Sequence, residues 1–358
     1  MILSISDAPR VLLLAATTLA SGCIIIDGGG HDDDASASDP SPGSHNTPTN
    51  PSESDGEDSG YDSGYDSGED SGYDSSDSND SAETNDTSIE PTGADNDPEA
   101  GCPCAPGTEL IYVLSDSGEI WSFDPEDLYF NRIAAISCGG FSNSFSMGVS
   151  RKARAWVQYQ EGDLYTVDLN DPADPIECLD PGFDHGHPKF PNFGMAFVAN
   201  DPFDPCDKLH AHTAIGPDVI GPDVGSLGVI DPFTLELDEI ASIDYGWGEL
   251  TGTSTGRLFA YEGSAPPLLN EYDKETGELL DTIALPGLSS DSAFAFAWWG
   301  GDFYLFHDPN DFGQVSDVWH LDYDESDGNG QALTKVVSPA PIRIVGAGVS
   351  TCVPAGPV

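Results

Sequence analysis

The chain has 358 residues and carries 63 acidic against 11 basic side chains, a formal charge of −52. It offers no basic footprint for nucleic acid or for anionic headgroups, so polyanions are poor partners. The acid is unevenly spread: 22 Asp or Glu and no Lys or Arg fall between Ile24 and Gly101, a stretch unlike the aromatic-rich chain that follows.

The N-terminus has a short polar start with one base, Arg10, then an apolar run from Val11 to Ala20 and small residues before Cys23. That is the layout of a secretory signal. The apolar run is about half the roughly 20 residues a membrane-spanning helix needs, so a permanent span is not expected. The stretch LASGC, Leu19 to Cys23, resembles the lipobox of bacterial lipoproteins, with Ala20 where that family usually has Leu. The resemblance implies that residues 1–22 are a signal peptide and that Cys23 becomes the lipidated first residue of the mature chain. With Ile24 in place of Asp after the cysteine, it also implies an exported protein anchored in the outer membrane.

Residues 23–101 then form the anchor and a linker of Asp, Ser, Gly, Pro, Asn and Thr that includes SGYDSGYDSGEDSGYD. Almost nothing in it is apolar, so burial cannot offset the entropy of ordering it, and the expectation is a disordered acidic stalk. Asp at every fourth position is also a pattern for calcium. The calcium loops with a known mechanism need Gly-rich nonapeptides or a DxDxDG loop ending in Glu, and SGYD is neither.

From Cys102 to Val358 short β-branched and aromatic runs alternate with Gly, Pro and Asp, and no amphipathic helix stands out, which makes this an all-β domain. SGEIWSFDPEDL, EGDLYTVDLNDP, VGSLGVIDPFTL, LLNEYDKETGEL and VWHLDYDESDG each run an apolar strand into an Asp and a polar turn. The acids are Asp124, Asp168, Asp231, Asp273 and Asp322, at separations of 44, 63, 42 and 49 residues, the size of a four-stranded propeller blade. With strands lettered A to D from the axis outward, FSMGVS, FGMAFVA, GELTGTS, AFAFAWW and IRIVGAGVS are the A strands, and small residues recur in them where backbones crowd an axis. The first repeat begins one strand short. The C-terminal strand from Ile342 to Ser350 is therefore expected to close a five-bladed β-propeller of four-stranded blades, removing its open edge. The architecture resembles the quinoprotein-like or YVTN-like propeller repeats of bacterial envelope lipoproteins over residues 109–352.

Besides Cys23 there are six cysteines, an even number in an exported chain, which favours disulfides over metal ligation by the CPC at 102–104. Strand alternation places A–B and C–D loops on one face, and B–C loops with D–A linkers on the other. Cys102, Cys104, Cys206 and Cys352 fall on the first face. Cys138 and Cys178 end successive D strands on the second and are expected to pair. Cys352 is expected to join Cys102 or Cys104 and staple the ring, with the partner of Cys206 left open.

Catalytic signals are sparse. GTSTG, Gly252 to Gly256, matches GxSxG but leads from an A strand into RLFAY, so Ser254 is read as a hairpin residue and not a nucleophile. The A strands offer only Glu249 and Asp291 as axial acids for glycosidase-like chemistry. DHGH and LHAHT place His185 with His187 and His210 with His212, pairs that could hold Zn or Cu, against a bland reading as exposed loop histidines and packed strand histidines. DYDESDG begins like a calcium loop but has Leu333 at its twelfth position, where a bidentate Glu is needed.

The expected function is a non-enzymatic binding or interaction module on an outer-membrane lipid anchor, taking an envelope protein, a polysaccharide or a cation, with no resident cofactor beyond a divalent cation. The alternative is an envelope hydrolase or lyase using the propeller mouth. The expected binding face carries the B–C loops and D–A linkers. It holds Asp180 to Pro191 with His185 and His187, the repeated GPDV of 214–225, and HDPNDFG with His307, Asp308 and Asp311.

Overall fold

The computed structural model describes residues 102–139, 143–170, 172–204, 206–216, 219–289, 293–308, 315–323 and 331–356. Cys23, the linker of 24–101, Asp291 and Asp311 lie outside the described residues, as does the part of the calcium-like loop at 324–330.

Every regular element described is a β-strand. Three strands, β1 (Ile111–Ser115), β2 (Glu119–Asp124) and β3 (Tyr129–Ser137), form an antiparallel meander, and β4 (Ser144–Val149), β5 (Arg154–Tyr159) and β6 (Leu164–Asp168) form the next. A two-residue strand, β7 (Ile176–Glu177), follows. The third blade is β8 (Phe193–Ala199), β9 (Asp207–Thr213), β10 (Ile220–Ile230) and β11 (Leu237–Tyr245), and the fourth is β12 (Gly248–Gly252), β13 (Leu258–Glu262), β14 (Leu268–Tyr272) and β15 (Leu279–Ala284). The fifth comprises β16 (Phe294–Trp299), β17 (Asp302–His307), β18 (Asp317–Leu321) and β19 (Leu333–Val337). The last strand, β20 (Ile344–Gly348), returns to pair antiparallel with β1 as the A strand of blade 1.

The five A strands β20, β4, β8, β12 and β16 pack side by side around one axis, and the ring closes through β20 as the missing first strand requires. This is a five-bladed propeller. Its core is not one central droplet but a series of slabs between neighbouring blades, because each sheet is apolar on both faces. Ile120, Ala134, Met147 and Val157 fill the slab between blades 1 and 2, Trp156, Phe197 and Leu209 the next, and Phe259, Phe296, Phe303 and Phe306 the aromatic slab of blades 4 and 5. The C–D turns share one device. Oδ1 of Asp124, Asp231 and Asp273 each accepts two backbone N–H bonds from the following turn, and Asp168 accepts one from Asn170.

Blade 2 departs from the expected pattern. The segment ending in Cys178 does not supply a D strand there: Ile176–Glu177 pairs in parallel with Ile136–Ser137 at the edge of blade 1. Only Leu179 returns to blade 2, exchanging two backbone bonds with Thr166. The cause is local to blade 1. Arg132 on β3 reaches Asp174 at 2.8 Å, and the amide of Ala135 donates to the same carboxylate, drawing the segment across. The Cys138–Cys178 disulfide then fastens this segment to the end of β3.

Candidate functional site

The two ends of the ring are built differently. On the face of the A–B and C–D loops, Cys102 joins Cys206 and Cys104 joins Cys352, so the entering chain is fastened both to blade 3 and to the tail beyond the closing strand. Between the bridges sits Arg151, 9% exposed, donating to the carbonyl of Cys102 and to Thr351 Oγ1, while that hydroxyl donates to Asp207 Oδ2 at 3.0 Å. This end is a cross-linked, internally satisfied plug. A cleft of about 330 Å³ beside it on blade 3 holds Asp204, Asp231 and exposed Phe233, but the two acids are committed to their own turns through backbone amides.

At the opposite end the A strands begin. Ser146 on β4 of blade 2 donates to Glu249 Oε2 on β12 of blade 4 at 2.8 Å, passing across the edge of blade 3. Such a bond needs the intervening strand to be thin: a Cβ on Gly194 of β8 would collide with the Gly248 carbonyl oxygen and lie 2.6 Å from Glu249 Cα. Glu249 is 6% exposed, and burial pushes its carboxyl well above the usual carboxylate range, offset only in part by the Ser146 hydroxyl. The nearby residues Phe145 and Trp247 meet edge to face at 5.7 Å between ring centroids. Both are half-buried.

Phe145 reaches that position through a β-bulge. Ser144 pairs with Tyr159 and Ser146 with Gln158, leaving Phe145 as the extra residue, a device that re-aims a side chain. The closing strand repeats it: Ile344 pairs with Ser115 and Gly346 with Leu114, leaving half-buried Val345 in the equivalent place. Trp247 is pinned by its backbone, bridging to Ala214 of blade 3 and accepting the amide of Gly263.

The histidines separate into three groups. His185 is exposed, 3.3 Å from Asp163, and His187 packs on Phe190 and accepts the amide of Lys189, so the long 180–191 linker is tied to the blades beneath it. His210 and His212 share β9 but not a ligand. Burial pulls the His210 imidazole down to about 4. Burial also opposes charge on fully buried His212, but Glu262, 3.0 Å away, outweighs it and holds the imidazole above its ordinary value. Glu262 in turn accepts from Tyr272 and Asn270, a polar cluster sealed between blades 3 and 4. Among the described residues no group of three or more His, Cys, Asp or Glu is arranged to hold a metal ion.

Two residues of the expected face are buried in it. His307 ends β17, 5% exposed, with Nε2 against the Ser289 carbonyl oxygen at 2.6 Å, and Asp308 is fully buried and accepts from Arg343 Nε at 2.7 Å. The strand runs further into HDPNDFG than its turn residues suggest, and Arg343 from the closing blade claims the acid. The second GPDV likewise is not a free loop, since β10 begins at Ile220 and pairs with Tyr245 across an irregular register. Ser254 lies on the turn from β12 to β13. Phe145, Ser146 and Trp247 went unread in the sequence as site residues. The signal was the parallel of SFSMGVS with IVGAGVS and a lone Trp between glycines at YGWGE.

Three disulfides mark an oxidising, extracellular or periplasmic environment, and no helix among the described residues is long and apolar enough to cross a membrane. No protein-family model matches the chain, and no curated protein sequence matches it. Among solved structures it is similar to a chain of a nidogen/laminin complex, 11% identical over 68% of this chain and 81% of that one, with a TM-score of 0.39. It is also similar to a chain of a mitotic checkpoint complex, 14% identical over 68% of this chain and 65% of that one, with a TM-score of 0.36. Likenesses this distant say nothing of ligand or partner, and the five-bladed assignment rests on the strand order alone.

Proposed function

We propose that this protein is an envelope lipoprotein whose propeller is a non-enzymatic binding module, engaging its ligand with the face of the B–C loops and D–A linkers. The observation that supports this most is the inequality of the two ends. One is closed by two disulfides and a saturated Arg151 cluster. The other carries the half-buried rings of Phe145 and Trp247 and the buried Ser146–Glu249 pair. The described chain enters at Cys102, which is bridged to blade 3 at the closed end. LASGC supports lipidation of Cys23 and, with Ile24 after it, the outer membrane, in keeping with the propeller-repeat lipoproteins of bacterial envelopes. The chain's net charge of −52 favours a cation, a basic protein segment or a polysaccharide over an anion.

The test is a calorimetric screen of the purified full chain against divalent cations, envelope polysaccharides and organic amines, repeated on Trp247→Ala and on Phe233→Ala in the cleft beside the disulfide-bridged end. The reading expects a ligand whose affinity falls about tenfold or more with the first change and stays put with the second. It is overturned by a ligand lost only with the second, or by turnover of any polysaccharide in the screen. Cys23→Ala should abolish labelling by a fatty-acid probe and release the protein into the soluble fraction, and unchanged membrane association would refute the anchor.

A further inference from the structure

The B–C loop of blade 3 and the D–A linker that leaves the same blade are bonded into one platform. The amide of Ile215 donates to the Gly246 carbonyl oxygen and the amide of Gly246 to that of Val219, each at 2.8 Å, while Ala214 bridges to Trp247 and Ile220 pairs with Tyr245. Glycine is required at 246, because a Cβ there would lie 2.9 Å from Ile215 Cγ1 and 3.0 Å from Val219 Cβ. On this platform Ile215 and Ile220 are exposed, and the rings of Tyr245 and Trp247 beside them are half-buried. Single exposed apolar side chains are ordinary, but a group of them on a rigid frame marks an interaction surface.

The surface carries two further signs of what it takes. A cleft of about 220 Å³ adjoins it at Tyr245, lined also by buried Ile243 and Tyr272 and by exposed Leu279. That is smaller than the roughly 300–1,000 Å³ of sites that enclose a small molecule, and it suits one apolar side chain of a larger partner. The charge is one-sided: from Leu209 to Gly256 the chain carries eight acids and no Lys or Arg. Two of them, Asp223 and Asp244, are exposed at the cleft, where Asp244 Oδ1 accepts the Asp223 amide at 3.3 Å. A polysaccharide would leave the isoleucines without a complement, whereas a basic protein segment with apolar side chains matches both features.

Resting on the reading of this end as the binding face, we propose that Ile215, Ile220, Tyr245 and Trp247 form a docking surface for a basic segment of a partner protein. One apolar side chain of the segment enters the Tyr245 cleft, others lie on the isoleucines, and its Lys or Arg side chains pair with Asp223 and Asp244. The backbone bonds that hold the platform together preorganise it, so docking has little of this chain to order.

The experiment is calorimetry of the full chain with three acetylated and amidated peptides, KLLKKLLK, KSSKKSSK of the same charge, and ELLEELLE of the opposite charge, in roughly 0.15 M salt to screen general attraction to the acidic chain. The first should bind saturably, and the other two about tenfold more weakly or worse. Ile215→Ser/Ile220→Ser should lower the affinity for KLLKKLLK by about tenfold, and Asp223→Asn/Asp244→Asn should lower it and flatten its dependence on salt. Phe233→Ala, at the disulfide-bridged end, should leave it unchanged. Equal affinities for KLLKKLLK and KSSKKSSK, binding undiminished in both double variants, or loss of binding in Phe233→Ala would overturn the proposal. So would absence of peptide binding in a protein that still binds a polysaccharide through Trp247, an outcome that leaves the functional reading standing.

Discussion

Glu249 and His210 are both buried ionisable groups, yet they make stability depend on pH in opposite senses. The folded carboxyl group of Glu249 keeps its proton at pH values where the unfolded chain has released it, so stability falls as pH rises from the ordinary carboxylate range through the folded pKa. Glu249→Gln should remove that slope. The variant should exceed the parent by about 1–3 kcal/mol at neutral pH and match it below about pH 4, as read from denaturant titrations. His210 is held neutral, its folded pKa near 4 against an ordinary 6.5, so stability is lost as pH falls between those values, by about 3 kcal/mol in all. His210→Gln should flatten this acid limb. His212 runs the other way: raised by Glu262, it contributes fully below 6.5 and loses its contribution as pH rises through the folded value. A carboxyl group retained at the axis against its own cost in stability fits a site better than a core.

At the scale of the element, the closing strand and the disulfides decide whether there is a ring. Removing 342–358 strips β20 from β1, exposes an edge and deletes Cys352, and should abolish cooperative unfolding and cause aggregation in light scattering. Cys104→Ser/Cys352→Ser keeps the strand but opens a bridge spanning 248 residues, for which chain entropy predicts a loss of about 5 kcal/mol in denaturant midpoint experiments. The closing strand was legible in the sequence because it depends on counting, an incomplete first repeat and an unpaired last one. The Asp-anchored turns were legible because they are satisfied within three residues. The crossing of β7 to blade 1 was not, since it turns on Arg132 meeting Asp174 from 42 residues away. The bulge at Phe145 was not either, because a one-residue shift exists only between paired strands. The burial of His307 and Asp308 was hidden for a related reason: Pro, Asn and Gly mark a turn, but the partners that bury its first residues are Ser289 and Arg343.

The whole molecule combines a closed end, an open end and a strongly acidic chain. The described chain enters at the cross-linked end, where Cys102 and Cys104 fasten it through two disulfides. A chain beginning at Gly101 should therefore melt within about a degree or two of the mature protein, because the ring closes with residues after Cys102, and marked destabilisation would show that the linker packs on the propeller. The central claim is that binding occurs at the face of the B–C loops and D–A linkers. The chain has six tryptophans, of which Trp247 alone stands in a D–A linker, so ¹⁹F NMR of 5-fluorotryptophan-labelled protein reads the claim directly. On titration with the ligand found in the calorimetric screen the account predicts that the Trp247 resonance, assigned by its loss in Trp247→Phe, shifts to saturation while the other five hold still. Saturable shifts at the other tryptophans with Trp247 unmoved would contradict it.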